Sequence, residues 1–471
     1  MNTFAQAVEQ AYNIGTTANG MATNVSSLDP CVDLFFAIGS SRNKELGLPF
    51  AMAYNDNPSV AMRMLFWARD VRGGAGERYT FRKLMQALEA NHPDMLRKVM
   101  HLIPEYGRWD DMLIFTTPQF KLQAYSIINR ALRKGNGLAA KWMPRKGTVA
   151  KELRAYMNET PKGYRKLLVG LTKVVESQMC AKEWTEIKYD SVPSVAAARY
   201  QKAFAKHDAA GYTAYKEALK SGDAKINASA VYPYDVIKSV NQGDKDVALA
   251  QWEALPNFLG EDLILPMVDV SGSMTCPAGS NKNLTCMDVA VSLGLYLADK
   301  QTGPFKDAFL TFSANTKIQF LKGDLLQKMS QMQRSDWGMN TSIERAFNEV
   351  LKVARVGNVS AEQMPKYLLI LSDMEFDAAT RGSNVRAIDM VRDQYEAAGY
   401  QLPKIVFWNL NARQGATGNA PVTFRDEGTA LVSGFSPAIL KNILAAKSFT
   451  PVDIMMDTLN SERYAPIADA I

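Results

Sequence analysis

From residue 31 to about residue 240, apolar positions recur at three- and four-residue spacing, as in Phe81, Leu84, Met85 and Leu88 and again in Met95, Leu96, Val99 and Leu102. Such spacing keeps one face of a helix apolar and leaves the other to solvent. It predicts helices over 60–71, 79–90, 94–103, 109–116, 121–134, 164–178, 194–206 and 212–221, joined by short Gly, Pro and Asp breaks that make neighbours antiparallel. No strict repeat accompanies the pattern. An irregular, HEAT-like α-solenoid packs such hairpins most readily, and its curvature offers a long surface to a polymer.

After residue 259 the period changes. Short apolar runs at 263–268, 307–313, 317–321, 367–371, 404–410 and 429–433 alternate with helical stretches, the mark of a doubly wound α/β sheet. The run at 263–268 contains Pro266 and reads as a parallel strand buried on both faces, although periodicity alone leaves a helix open. A chain of 471 residues has room for two or three domains. The expected division is an N-terminal segment (1–30) that could be helical, a helical-repeat module (31–258), and an α/β domain with a C-terminal helical extension (259–471).

The first strand of that domain runs into Asp269-Val-Ser271-Gly-Ser273. A turn there lies at the carboxyl edge of the sheet, where open α/β sheets leave a crevice for ligands. One carboxylate and two hydroxyls at alternate positions suit Mg2+ or Ca2+ better than Zn2+, which prefers His and Cys. The plainer alternative is that Asp269 or one of the serines caps the next helix. The DxSxS pattern resembles the metal-ion-dependent adhesion site of von Willebrand factor A domains. That resemblance implies a Thr from a second loop, matched by Thr341 in Trp337-Gly-Met-Asn-Thr341, and an Asp from a third, matched by Asp373 after the run 367–371. The expected ligands of Mg2+, or of Ca2+ or Mn2+ in its place, are therefore Asp269, Ser271, Ser273, Thr341 and Asp373. Glu375 and Asp377 follow closely. One of the three acids faces the metal on this reading, and Asp373 is chosen by analogy as the nearest to the strand end. The loop 275–286, TCPAGSNKNLTC, is longer than the sharpest turns of this fold.

Composition narrows the classes. The chain is 47% hydrophobic, without an apolar stretch long enough for a membrane span and without a signal-peptide pattern at residues 1–15, so a cytoplasmic protein is expected. Its four cysteines are too few and scattered for a disulfide scaffold; Cys276 and Cys286 share a loop and could pair under oxidation, but free thiols are expected. With three histidines and no Ser-His or Cys-His neighbourhood, a hydrolase triad or catalytic zinc has little to build on, and no enzymatic activity is expected.

The net charge of +6 conceals an asymmetry. Residues 261–471 carry 20 basic and 23 acidic side chains, whereas 121–225 alone carry 21 basic and 9 acidic. Within the helical module, Arg69-Asp-Val-Arg72-Gly-Gly-Ala-Gly-Glu77-Arg78 places arginines around a glycine turn whose amides could cradle phosphate; alternatively Asp70 and Glu77 neutralise a structural corner. Arg108-Trp109 could stack on a base, or Trp109 could anchor the core. Lys141-Trp-Met-Pro-Arg145-Lys146, then Lys162, Arg165 and Lys166, and Trp184 with Lys182 and Lys188, are basic with few interspersed acids, which suits phosphate contact as well as a solvated face.

A module carrying RDVRGGAGER, YGRWDD, AAKWMP, a YRK helix and EWTEIKYDSVPSVA, followed by DVSGSM, resembles the TROVE plus von Willebrand factor A arrangement of Ro autoantigen proteins from about Leu34 onward, and more closely an RGGxGER-containing branch related to them. The resemblance implies helical repeats closed into a ring by the A domain, and a ribonucleoprotein that takes single-stranded ends of misfolded RNA or small noncoding RNA. RNA contacts do not carry over residue by residue. Arg69, Arg72, Arg78, Arg108, Lys141, Arg145, Lys146, Lys162, Arg165 and Lys166 are chosen on charge. The expected function is noncatalytic RNA binding, with no membrane contact, by a monomer or as part of a larger assembly. The alternative is a metal-dependent protein-docking module, such as an adaptor of a MoxR-type ATPase, in which a partner supplies an Asp or Glu to the metal.

Overall fold

The computed structural model describes residues 8, 11–172, 174–228, 231–242, 245–278, 281–311, 316–335, 342–377, 387–412 and 420–471. Two hydrophobic cores hold them. The larger joins the α/β sheet to the helices of residues 30–171 and 231–259; the smaller, around Val175, Tyr189, Phe204, Tyr212 and Val247, knits the helices of residues 175–221.

Most expected helices are present. Pro58–Arg69 begins where Asn57 accepts the Val60 amide and Pro58 occupies the first turn, a capping arrangement that satisfies an amide left over at the helix start. Two expectations are corrected. Residues 109–116 form only a 3-10 turn, Trp109–Leu113, because the buried Glu89 carboxylate takes the Thr116 and Thr117 amides at 3.0 and 2.7 Å and draws the chain out of the helix. The helix expected over 164–178 is two, Pro161–Leu171 and Val175–Ala181; the Thr172 hydroxyl bonds back to the Leu168 carbonyl at 2.6 Å where the first one ends. Helices not assigned from the pattern are Pro30–Ile38, Gly47–Asp56, Gly137–Trp142, Thr148–Tyr156, Pro233–Gln242 and Lys245–Glu253. The N-terminal segment, which could be helical, is helical at residues 8, 11 and 12 and then pairs β1 (Ile14–Thr16) with β2 (Ala22–Asn24) in an antiparallel hairpin.

The α/β domain opens with β3 (Ile264–Val268), passes through a short hairpin of β4 (Pro277–Ala278) and β5 (Asn281–Thr285), and continues with β6 (Ala308–Thr311), β7 (Ile318–Phe320), β8 (Tyr367–Ser372), β9 (Lys404–Asn409) and β10 (Thr429–Ser433). Its six-stranded sheet has the order β10-β9-β8-β3-β6-β7, with only the edge strand β7 antiparallel. Strands β3, β8 and β10 are buried throughout, which is why they read as unbroken apolar runs. The chain passes from β3 to β6 and β7 on one side and then crosses back to β8 on the other side of β3. The carboxyl ends of β3 and β8 therefore flank the switch point of the sheet.

The helical residues and the sheet are interlocked. Helix Pro30–Ile38 buries Val32, Leu34, Phe35, Phe36 and Ile38 and covers β10, each such side chain stabilising the packing by roughly 1.5–3 kcal/mol. At its end Gly39 donates its amide to the Ser433 hydroxyl at 2.9 Å, and a Cβ on Gly39 would lie 2.4 Å from the Gly434 Cα. Helix Pro58–Arg69 packs on Pro451–Leu459 and Ala465–Ala470 near the C-terminal end. The far end of the helical array returns to the same region. Tyr234 packs edge-on against Phe435 at 6.0 Å, Arg42 lies over the Phe435 ring at 3.7 Å, and helix Pro233–Gln242 rests on Cys286–Lys300.

Gly39→Ala forces apart two backbones that cannot yield like a side chain, so thermal unfolding should start several degrees lower, for a loss of about 1–3 kcal/mol. Gly47→Ala, with open space at its Cβ, should stay within about 0.5 kcal/mol of the parent. Equal melting of the two variants would remove the close approach from the account.

Candidate metal edge and basic surface

The ladder between β3 and β8 continues one step past the strands, with the Asp269 amide donating to the Leu371 carbonyl at 3.0 Å. Asp269 is completely buried, and Ser271 and Asp373 nearly so. The Ser271 amide donates to Asp269 Oδ1 at 2.9 Å, the Ser271 and Ser273 hydroxyls lie 2.8 Å apart, and the Ser372 hydroxyl donates to Asp269 Oδ2. Burial raises the proton affinity of the Asp269 carboxyl above the usual aspartate range, and the nearby Asp373 carboxylate raises it further; the Ser372 and Ser271 hydrogen bonds offset only part of this. Two carboxylates and two hydroxyls converging in a buried edge form an all-oxygen donor set in which like charges repel. That chemistry fits a hard divalent cation. Among the described residues no group of three or more His, Cys, Asp and Glu is placed to hold a metal.

The acids after β8 go different ways. Glu375 Oε2 accepts the Ala18 amide at 2.6 Å, its carbonyl accepts Asn19 Nδ2 at 2.7 Å, and Asp377 bridges to Gly20, so this stretch is engaged by the β1–β2 hairpin. Thr341, with residues 337–340, lies outside the described residues. Ser372 is a site residue that the motif reading passed over. Its signal was its place at the end of β8, one step from the register pair Val268 and Leu371.

The glycine-rich turn is a packed corner. Arg69 is only 3% exposed and donates from Nε to the fully buried Asp111 at 2.8 Å, which also accepts Arg82 Nε at 2.6 Å and the Arg108 amide at 2.9 Å. Asp70 takes both the guanidinium of Arg463 and the Tyr464 hydroxyl, and Glu77 pairs with Arg42 at 2.6 Å. The glycines fit this packing: a Cβ on Gly74 would strike the Trp67 carbonyl oxygen at 2.0 Å, and one on Gly76, at φ +71°, would strike the Tyr232 hydroxyl at 2.3 Å. Arg69 therefore has no surface to offer a phosphate, whereas Arg72 and Arg78 are exposed.

Arg108 is half-buried, with its guanidinium 4.0 Å from the Trp142 ring and a contact to Asp110 at 3.1 Å. Lys141 lies 5.7 Å from the same ring. Trp109 is partly buried against the main core, the anchor position. Arg145, Lys146, Lys162, Arg165 and Lys166 are all exposed. The loop that carries Arg145 and Lys146 meets helix Pro161–Leu171 through the Tyr164 hydroxyl, which donates to the Pro144 carbonyl at 3.1 Å. Burial pushes that phenol up to about 12 even though Arg145 and Arg154 pull it down, which puts both arginines beside it.

Comparison with known proteins matches this architecture. The crystal structure of the Deinococcus radiodurans Ro (RSR) protein superposes with a TM-score of 0.50 at 15% identity, covering 93% of this chain and all of that one. The chain has a Ro-like fold. Two family models, both described as domains of unknown function, match it: DUF2828 over residues 17–112 and 136–261, and DUF7788 over residues 264–465. A curated relative, the uncharacterized protein L728 of Acanthamoeba polyphaga mimivirus, is 26% identical over 517 residues, covering 97% of this chain and 89% of that protein. In this fold the candidate metal edge belongs to the α/β domain and the exposed basic residues to the helical array. Among the described residues no helix is long and apolar enough to cross a membrane.

The corner between these two regions should be sensitive to pH. Burial pushes the Glu77 carboxyl up to about 7, against the pull of Arg42. A folded value above the ordinary 4.5 means that the fold favours the protonated acid, so this contribution to stability is complete below about 4.5 and is lost as pH rises through 7. In urea unfolding between pH 5 and 8, Glu77→Gln should flatten that decline; a slope unchanged by the substitution would place the titrating group elsewhere.

Proposed function

We propose that this protein is a noncatalytic, cytoplasmic RNA-binding protein of ribonucleoprotein type, and that Asp269, Ser271, Ser273, Thr341 and Asp373 hold Mg2+, with Ca2+ or Mn2+ able to replace it. The carrying observation is the exposed basic group of Arg145, Lys146, Lys162, Arg165 and Lys166 on the helical array of a Ro-like fold. These side chains contact phosphates, and the array follows a backbone rather than reading bases. The half-buried Arg108 and Trp142 present a stacked pair beside them, suited to an unpaired base, so single-stranded ends are preferred to duplex. Arg72 and Arg78 extend the surface, while Arg69 holds the corner behind it.

A bound cation would supply positive charge between Asp269 and Asp373 and a coordination position open to a ligand carboxylate. The residues themselves do the positioning. Ser372 fixes one oxygen of Asp269, the Ser271 amide fixes the other, and paired hydroxyls at Ser271 and Ser273 complete the near side. A site of this kind captures a ligand; a metal-assisted hydrolase calls for a second metal or a general base.

Filter binding of a single-stranded RNA at two salt concentrations tests the surface. Changing Lys141, Arg145, Lys146, Arg165 and Lys166 to Ala should weaken binding at both and reduce the slope of log K against log salt by about 0.7 for each phosphate that is no longer neutralised. Unaltered affinity would reassign those residues to a solvated face. Mn2+ titration followed by electron paramagnetic resonance should show one bound ion that Asp269→Ala abolishes and Arg145→Ala leaves intact. Protein copurification that survives nuclease but is lost with EDTA or Asp269→Ala would turn the reading to metal-dependent docking.

A further inference from the structure

Cys276 and Cys286 stand on either side of the β4–β5 hairpin, directly after the serine turn. The pairing Pro277 with Thr285 brings them opposite one another, the Cys286 amide donates to the Cys276 carbonyl at 3.0 Å, and the two Sγ atoms are 3.6 Å apart as reduced thiols. Each sulfur has a further polar neighbour. Cys286 is buried at the first turn of helix Cys286–Lys300 with its sulfur toward the Leu410 carbonyl, and Asn411 Nδ2 donates to the half-exposed Cys276 sulfur at 3.3 Å. The other cysteines have different surroundings: Cys31 is buried against the Ala53 carbonyl, and Cys180 is exposed on helix Val175–Ala181.

We propose that Cys276 and Cys286 are an oxidative modification site, a thiol pair that peroxide converts reversibly to a disulfide, and that closing it loosens the neighbouring serine turn. Cys276 is the sulfur that peroxide reaches, because Cys286 is covered. Its sulfur attacks one peroxide oxygen and the O–O bond breaks; the sulfur is oxidised to a sulfenic acid, and the thiol proton leaves with the other oxygen as water. The Cys286 sulfur then displaces hydroxide from the sulfenic sulfur, forming the S–S bond. The hydroxide takes the Cys286 proton, so the balance is two thiols and hydrogen peroxide giving one disulfide and two waters.

The bond needs the sulfurs at about 2.05 Å, so one must move by more than an ångström. Cys286 is fixed by a buried fifteen-residue helix, whereas Cys276 lies on a two-residue strand joined to the 3-10 turn Gly272–Thr275. Cys276 moves, and the turn carrying Ser273 moves with it. This consequence for the metal rests on the cation reading proposed above; the chemistry of the pair does not.

The experiment uses the full chain, reduced and then treated with hydrogen peroxide, alkylated and digested for mass spectrometry, with Mn2+ affinity measured on both forms. Peptides containing Cys276 and Cys286 should be joined and two hydrogens lighter, should separate again with dithiothreitol, and should leave Cys31 alkylated. The Mn2+ dissociation constant should rise on the order of tenfold on oxidation. Cys276→Ser, at the half-exposed position, should keep the reduced affinity in peroxide. Full alkylation of both cysteines at a peroxide dose that oxidises Cys180 would overturn the site, and a disulfide with unchanged Mn2+ affinity would overturn its effect on the turn. If reduced protein binds no Mn2+, the cation reading fails by itself, and the joined peptides alone decide the thiol pair.

Discussion

At the outer edge of the sheet, two glycine backbones meet where no side chain would fit. The approach of Gly39 to Gly434 lets helix Pro30–Ile38 lie along β10 and cover that edge strand. Much of the architecture follows from that seat. The chain enters its helical array from the α/β domain's edge, runs through Pro58–Arg69 against the C-terminal helices, and comes back through Tyr232 and Tyr234 to the same corner. A division near residue 259 therefore marks a change of sequence pattern, and the family models change over between 261 and 264, but packing does not stop there.

What could be read from the sequence was whatever burial imposes on consecutive residues. Strands enclosed on both faces leave unbroken apolar runs, so the sheet and its order of strands and helices were legible, and with them the edge at which Asp269, Ser271 and Ser273 are gathered. Short helices such as Gly137–Trp142 and Thr148–Tyr156 bury only two residues each and leave no period to find. The turn at Trp109–Leu113 was illegible for another reason: the carboxylate that ends it is Glu89, on a different helix.

Charge was legible as composition and misleading as partnership. The acidic residues of the glycine-rich turn do neutralise arginines, but not their sequence neighbours. Asp70 serves Arg463, Glu77 serves Arg42, and Arg69 turns to Asp111. A buried guanidinium needs a carboxylate at hydrogen-bonding distance, and the fold supplies it from wherever the chain happens to pass. Counting charges along 121–225 escapes this problem only because acids there are scarce, which leaves Arg145, Lys146, Lys162, Arg165 and Lys166 on the surface.

The β1–β2 hairpin reaches across the carboxyl side of the sheet. It holds Glu375 through Ala18 and Asn19, and it exchanges amide bonds between Asn24 and Ala420, so the loops after β8 and before β10 are fastened to one short piece of chain. Glu375 lies two residues beyond Asp373. Any displacement of that loop has to drag the hairpin or break a charge-assisted bond to it. Residues 14–24 thus tether the acidic loop from 357 residues away in sequence.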